Sequence, residues 1–419
     1  MSYRLTLQAE IARLKMLRII KIIGYRVFQF CFYYGSRLLP WREPMLLKGP
    51  GSVARVPEIL KSEDVSPVLI VSDQHLMKIG LADRLLRSLD EAGILYHIFD
   101  NIEANPSTDT VEALRAFFLE KNCRAFVAIG GGSVIDAAKA AAARIARPNK
   151  SLSQLGGFLR VLRRTPLIVA IPTTAGTGSE TTIAAVVTDS ATHHKYSLSD
   201  LPLIPRYAVL DPELTAGLPP AITAATGMDA MTHAVESYLC RFISAKTKRK
   251  CTDAVSIIFK DLPTVYTNGT DLKARENMLN ASYLAGGAFT RAGLNYIHPI
   301  AHTLGGLYNI PHGLANAVVL PHALLYYGSV VEKKLARLAA AAGIPIKGKS
   351  DAEAAAAFVS AIQTLNRSLG IPDRIVEIRD EDIPTMINWA LKEANPFYPV
   401  PKIYGPKELR EIIDRIRAR

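Results

Sequence analysis

The chain has 419 residues, 49% of them hydrophobic and 21% charged. That composition excludes a disordered or low-complexity protein, and the length suits two domains of roughly 150–200 residues. A formal charge of +12 points at first to a nucleic-acid ligand, but residues 1–48 alone carry nine basic groups against Glu10 and Glu43, leaving only +5 for the other 371 residues. The main body needs no polyanion, so no nucleic-acid partner is expected and the partner question moves to the N-terminus. Cys31, Cys123, Cys240 and Cys251 are scattered and form no CxxC pair. This excludes a disulfide scaffold and a cysteine zinc site and fits a reducing, cytoplasmic compartment.

Ile11 to Leu39 is apolar but interrupted by Arg13, Lys15, Arg18, Lys21 and Arg26. Its longest uncharged run, Val27 to Ser36, is about half of the ~20 residues a spanning helix requires. The early Glu10 and the lack of a small-residue cleavage site do not suit a signal peptide. Basic groups interleaved with Phe28, Phe30, Phe32, Tyr33 and Tyr34 suit an amphipathic helix in the headgroup layer of a membrane's inner face. There each basic group contributes about 1 kcal/mol. The rival reading is a helix packed on the protein's own body or on a second subunit. Residues 1–45 are therefore expected to form a basic amphipathic extension, with Pro40 to Pro50 a linker.

From residue 46 to 217, short β-rich runs alternate with helical stretches. "VSPVLIVSD", "ILYHIFD", "RAFVAIGGGS", "TPLIVAIPTTAGTGSE" and "YAVLDPEL" read as strands, and "LADRLLRSLDEAG" and "TVEALRAFFLEKN" as helices. The alternation predicts an α/β domain with a mostly parallel sheet. After "LPP" the strand signal nearly vanishes, and residues 218–419 read as an all-helical domain.

Ligands of a parallel α/β domain bind at the C-terminal ends of its strands. Two small-residue turns fall there. Gly130, Gly131, Gly132 and Ser133 lead into a helix whose N–H groups and dipole suit a phosphate. Thr173, Thr174 and Thr177 stand in the second turn, where hydroxyls could line a nucleotide. Asp73 ends the first strand, either meeting a ribose or capping a helix. Among nine histidines, His233, His298, His302, His312 and His322 fall in the helical half. Asp229 and His233 share one helical face at i,i+4, as do His298 and His302, with His312 ten residues on. Imidazoles beside a carboxylate form a ligand set for Zn2+ or Fe2+.

The segments "GGGSVIDAAK", "IPTTAGTGSE", "DPELTAGLPP", "TAATGMDAMTHAVE" and "HPIAHTLGGLYNIPHGLANAVVLPH" occur in an order and spacing that resemble the iron-containing (group III) alcohol dehydrogenases, from about residue 46 onward. The resemblance implies a dinucleotide-binding α/β domain, a helical metal-binding domain and a cleft between them. It implies Asp229, His233, His298 and His312 as metal ligands, with His302 beside the nicotinamide as a proton relay. The glycine triplet, Ser133 and Asp136 would belong to the pyrophosphate loop, joined by Thr173, Thr174, Thr177, Asn105 and Lys195. Asp73 would favour NAD over NADP. Four protein ligands already satisfy tetrahedral Zn2+, whereas Fe2+ accepts more, so iron is expected with zinc as the substitute. The implied reaction is hydride transfer between an alcohol, of medium or long chain if the extension meets a membrane, and nicotinamide, with a homo-oligomer as the working form. The alternatives are a polyol dehydrogenase or an NAD-using lyase of the same superfamily, and a membrane-attached assembly protein with a vestigial site. The extension departs from the family pattern. Pro299, directly after His298, is tolerated if the His302 helix begins there, with His298 just ahead of its first turn.

Overall fold

A computed structural model describes residues 2–192 and 195–418, with side chains described for Arg13 and from Met16 onward. The side chains of Arg4 and Lys15, counted above in the extension's charge, lie outside the described residues.

Six strands form one all-parallel sheet in the order β1-β9-β6-β4-β2-β3: β1 (Met45–Lys48), β2 (Val68–Val71), β3 (Tyr96–Phe99), β4 (Ala125–Gly130), β6 (Leu167–Pro172) and β9 (Tyr207–Leu210). β2 and β4 are buried at every position, as continuous apolar runs must be when helices cover both faces of a parallel sheet. Alternate residues feed different cores. Val68, Ile70, Val127 and Ile129 pack on one side, and Leu69, Val71, Phe126 and Ala128 on the other, because successive side chains on a strand point to opposite faces. Connecting helices are α2 (Val56–Ser62), α3 (Gln74–Lys78), α4 (Asp83–Glu91), α5 (Thr108–Glu120), α6 (Gly132–Ala146) and the short α7 (Leu152–Leu155). The alanines at 137, 138 and 140–143 of α6 are fully buried, and their small side chains let the helix lie close to the sheet.

A second sheet, β5 (Gly157–Phe158), β8 (Lys195–Ser199) and β7 (Ala184–Thr188), pairs β5 parallel and β7 antiparallel to β8. The sequence reading missed it, and it missed β1, which lies inside the stretch read as a linker. These strands are short, and β1 owes its conformation to pairing with β9 rather than to its own pattern.

The rest is helical: α8 (Pro220–Leu239), α9 (Ala245–Thr267), α10 (Leu272–Ala292), α11 (Ile297–Tyr308), α12 (His312–Tyr327), α13 (Glu332–Ala341), α14 (Asp351–Ser368), α15 (Ile383–Ala394) and α16 (Pro406–Ile416). They enclose one large core that includes Met228, Tyr296, Phe358 and Ile413. α11 begins at Ile297, so His298 sits inside the first turn rather than ahead of it. Pro299 follows in the same turn, where backbone N–H groups have no helical acceptor to lose.

Residues 2–36 form one helix, α1, about 50 Å long at 1.5 Å per residue. Its inward face is set by Ile22, Tyr25, Arg26, Gln29, Phe32 and Tyr33, spaced three or four residues apart. Ile22 and Tyr25 pack on the helical core, and Phe28 and Phe32 meet Phe397 edge-on. Arg18 pairs with Glu408. Packing on the protein's own body, the rival reading of this segment, therefore describes its inward face. The opposite face is largely open to solvent: Met16, Ile20, Ile23 and Val27 are each more than half exposed.

Candidate metal and cofactor site

β4 and β6 are neighbours in register, with Gly130 opposite Pro172, so the two small-residue loops leave the sheet side by side. They are matched in shape. A Cβ on Gly132 would stand 2.7 Å from Thr177 Cγ2, and one on Gly131 would touch Thr174 at 3.8 Å. Gly131, Gly132, Ser133, Thr174 and Thr177 remain half-buried around this opening, whereas Thr173 is buried and donates its N–H to Gly130 O. Ser133 Oγ accepts from Asn105 N (3.2 Å), and Lys195 Nζ donates to Asn105 Oδ1 (2.9 Å). Burial pushes the Lys195 ammonium pKa down. A Cβ on Gly305 of α11 would lie 3.4 Å from Lys195 Nζ, which places this lysine where the sheet domain's loops face the histidine helices.

Two further expected cofactor residues hold contacts within the sheet domain. Asp73 caps α3 by accepting from Leu76 N (2.9 Å), the structural alternative that its strand-end position left open. Asp136 is half-buried behind the loop, accepting from Ser179 Oγ (2.5 Å) and Val186 N (3.0 Å). Beside it, Lys139 donates to Thr182 and Ala184 carbonyls at 3.0 and 2.9 Å. Asp136 and Lys139 thus tie the second loop to α6.

The metal-type residues come from three helices. α8 supplies Asp229 and His233, α11 supplies His298 and His302, and α12 begins at His312. Gly313 allows this convergence, since any Cβ there would overlap Ala225 O on α8. Ligand atoms of Asp229, His298 and His312 lie within 4.8 Å of one another. Asp229 Oδ1 is 3.7 Å from His298 Nε2 and 3.6 Å from His312 Nε2. Asn316, which the sequence reading missed, places Nδ2 at 2.7 Å from that oxygen and 3.1 Å from each of those nitrogens. Three acceptors thus converge on one buried donor, an arrangement suited to a cation. Burial drives the His298 pKa well below its ordinary value and that of His312 down to about 4, so both imidazoles are neutral at physiological pH, as ligation requires. The donor set fits a divalent metal.

His233, the fourth expected ligand, stands beside this trio. Its ring stacks on His298 at 4.5 Å and on Phe289 at 4.5 Å. Its Nδ1 is buried without a hydrogen-bond partner among the described residues.

Carboxylates behind the rings orient them. Glu236, fully buried, accepts from Asn295 N (3.1 Å), Ile297 N (2.9 Å) and His298 Nδ1. This leaves His298 Nε2 as the acceptor facing Asp229, the usual arrangement behind a metal-binding imidazole. Burial pushes the Glu236 carboxyl up, and these N–H donors act against that push. The His302 ring stacks on His312 at 5.0 Å, and its Nδ1 lies 2.9 and 3.0 Å from the two Glu393 oxygens. Burial acts to lower the His302 pKa, but the Glu393 carboxylate outweighs it and the net direction is upward. Glu236 closes the "THAVE" stretch at i+3 from His233, a spacing visible in the sequence. Nothing local marked Glu393, ninety residues from its histidine.

Residues 44–212 match the family described as iron-containing alcohol dehydrogenase, and residues 223–415 match the C-terminal part of the Fe-containing alcohol dehydrogenase family. A 1,3-propanediol dehydrogenase of Klebsiella pneumoniae is 39% identical over 83% of this chain and 91% of its own. An NAD-dependent methanol dehydrogenase of Bacillus methanolicus is 36% identical over 84% and 92%. The crystal structure of a 1,3-propanediol oxidoreductase superposes with a TM-score of 0.87 at 37% identity, covering 90% of this chain and 100% of the other. The chain belongs to the iron-containing alcohol dehydrogenase family.

Proposed function

We propose that this member of the iron-containing alcohol dehydrogenases interconverts a primary alcohol and its aldehyde with NAD(H), in the cleft between residues 46–217 and 218–419. The observation that carries the reading is the convergence of Asp229, His298 and His312 on one buried point beside His302. These three residues, with His233 at their side, would hold Fe2+, or Zn2+ in its place, and the ion's contribution when bound is Lewis acidity toward the substrate oxygen. The nicotinamide is the hydride partner. Around it, Gly131, Gly132 and Ser133 receive the pyrophosphate at the start of α6, where unpaired N–H groups and the helix dipole favour negative charge. Thr174 and Thr177 line the opposite wall, and Asn105 and Lys195 close the nicotinamide end. His302, held through Nδ1 by Glu393, presents Nε2 to the substrate hydroxyl and carries its proton away. The names of the relatives favour short alcohols and diols as substrates. A chain-length series of alcohols and aldehydes, followed by NADH absorbance on protein of measured metal content, tests this. Bound metal without turnover of any alcohol or aldehyde would refute it.

The outer face of α1 supports a second element, attachment to an anionic lipid surface. Its exposed apolar stripe is flanked by exposed Arg13 and Lys21, which suits an interfacial helix. No helix among the described residues is long and apolar enough to cross a membrane. Binding to phosphatidylserine vesicles but not to phosphatidylcholine vesicles, reversed by salt, is the expected result. Equal recovery in the supernatant with both would refute it. A homo-oligomer is supported by the edge strand β1, where Met45 and Leu46 are exposed. Light scattering reads the assembly directly.

A further inference from the structure

Residues 396–401 run between α15 and α16 with no regular secondary structure, so their carbonyls need partners from elsewhere. Most come from α1, which precedes the family match at residue 44. Gln29 is 1% exposed and donates Nε2 to Pro396 O (3.0 Å) and Tyr398 O (2.8 Å). Arg26 donates to Val400 O (2.7 Å) and Pro401 O (3.1 Å), and also to Gln29 Oε1 (2.9 Å), which fixes the two side chains together. Pro399 O accepts from Arg241 N. Phe397, between these anchored carbonyls, stacks on Phe158 at 5.3 Å and meets Phe28 and Phe32 of α1.

This anchored segment supports the proton-carrying histidine. Tyr398 Oη donates to Glu393 Oε1 (3.1 Å), and Glu393 holds His302 Nδ1 through both oxygens. An unbroken set of contacts thus runs from a polar face of α1 to the ring of His302.

We propose that α1 is a working part of the active site: Gln29 and Arg26 are positioning residues that pin residues 396–401 and, through Tyr398 and Glu393, set the orientation of His302. A polar, nearly inaccessible glutamine on the inward face of α1 is accounted for by this role. The inference rests on the proposed role of His302.

The test is a double-mutant cycle on the full-length, metal-loaded enzyme. Gln29→Ala and Tyr398→Phe should each lower kcat by about tenfold, since a positioned acid–base group contributes roughly 100- to 10,000-fold and outer hydrogen-bond partners about 10- to 100-fold. KM for NAD should stay unchanged. In a His302→Gln background the same substitutions should cost nothing further, because residues acting as a unit are non-additive. In metal-free, histidine-labelled protein, NMR should show His302 as a single Nδ1–H tautomer that becomes averaged in Gln29→Ala. Its signals are assigned by their loss in His302→Gln. Equal fractional losses in both backgrounds, or an unchanged kcat and tautomer in Gln29→Ala, would overturn the proposal while leaving the role of His302 intact. Full activity in His302→Gln would overturn both. Tyr398→Phe and Arg26→Gln repeat the test should Gln29→Ala fail to fold.

Discussion

Replacing Glu236 by Gln changes one atom and separates two accounts of the metal site. Glu236 has no solvent exposure and receives three N–H donors, from Asn295, Ile297 and His298 Nδ1. An ionised carboxylate keeps His298 in the Nδ1–H form, with Nε2 free to face the point shared with Asp229 and His312. A glutamine can satisfy the backbone N–H groups with its single carbonyl oxygen, but its NH2 then meets Nδ1 and demands an acceptor there. The proton moves to Nε2, and one of three convergent ligands becomes a donor. The expected loss of metal affinity is about 10- to 100-fold, equivalent to about 1.4–2.7 kcal/mol at 1.4 kcal/mol per tenfold. Competition of the metal-loaded protein with a chelator of known affinity measures this, and Glu236→Asp should fall between the two. Burial alone favours a protonated Glu236. If that tendency prevailed, the carboxylic acid and the amide would both present a donor to Nδ1, and Glu236→Gln would bind metal as well as the original. Unchanged affinity would refute the orientation argument for His298.

Other consequences follow from the same geometry. Gly132→Ala would place a methyl 2.7 Å from Thr177 Cγ2 and 3.1 Å from its Cβ, so rotation of the threonine gives no relief. At about 1–3 kcal/mol for overpacking, KM for NAD should rise roughly tenfold with kcat nearly unchanged. Lys139→Met should cost about 1–3 kcal/mol of stability in a urea titration, because the Ser179, Thr182 and Ala184 oxygens lose their buried donor. In the metal-free protein His298 and His312 have depressed folded-state pKa values, that of His312 about 4, while unfolded imidazoles bind protons below about 6.5. The unfolded state then holds more protons, so stability is full above about 6.5 and falls as the solution is acidified toward the folded values. Thermal midpoints measured across that window should flatten in His312→Gln.

The α/β half was legible because its strands are buried on both faces and so read as continuous apolar runs, as in "AFVAIG" and "LIVAIP". The short second sheet and β1 carry no such signature, since only pairing across the chain makes them strands. For the site, the pairs Asp229/His233 and His298/His302 stood out because i,i+4 spacing places side chains on one helical face, with His312 following ten residues on. The spacing did not separate the three that converge from His233, whose ring stacks on those of His298 and Phe289.

What the sequence determined by itself was the residue types at each strand end and on each helix face, because these follow from local periodicity and backbone geometry. They were enough to mark a candidate nucleotide loop and a candidate metal ligand set and to locate most of the excess charge in the N-terminal segment; the oxidoreductase reading came from the resemblance these motifs carry to the iron-containing alcohol dehydrogenases. Which carboxylates stand behind which imidazoles, and that Asn316 and Gly313 shape the metal point, depended on three helices packing against one another. The same holds for α1. Its charges and aromatics were visible in the sequence, but that Gln29 anchors a segment 367 residues away was decided only when unsatisfied carbonyls and an amide side chain were buried together.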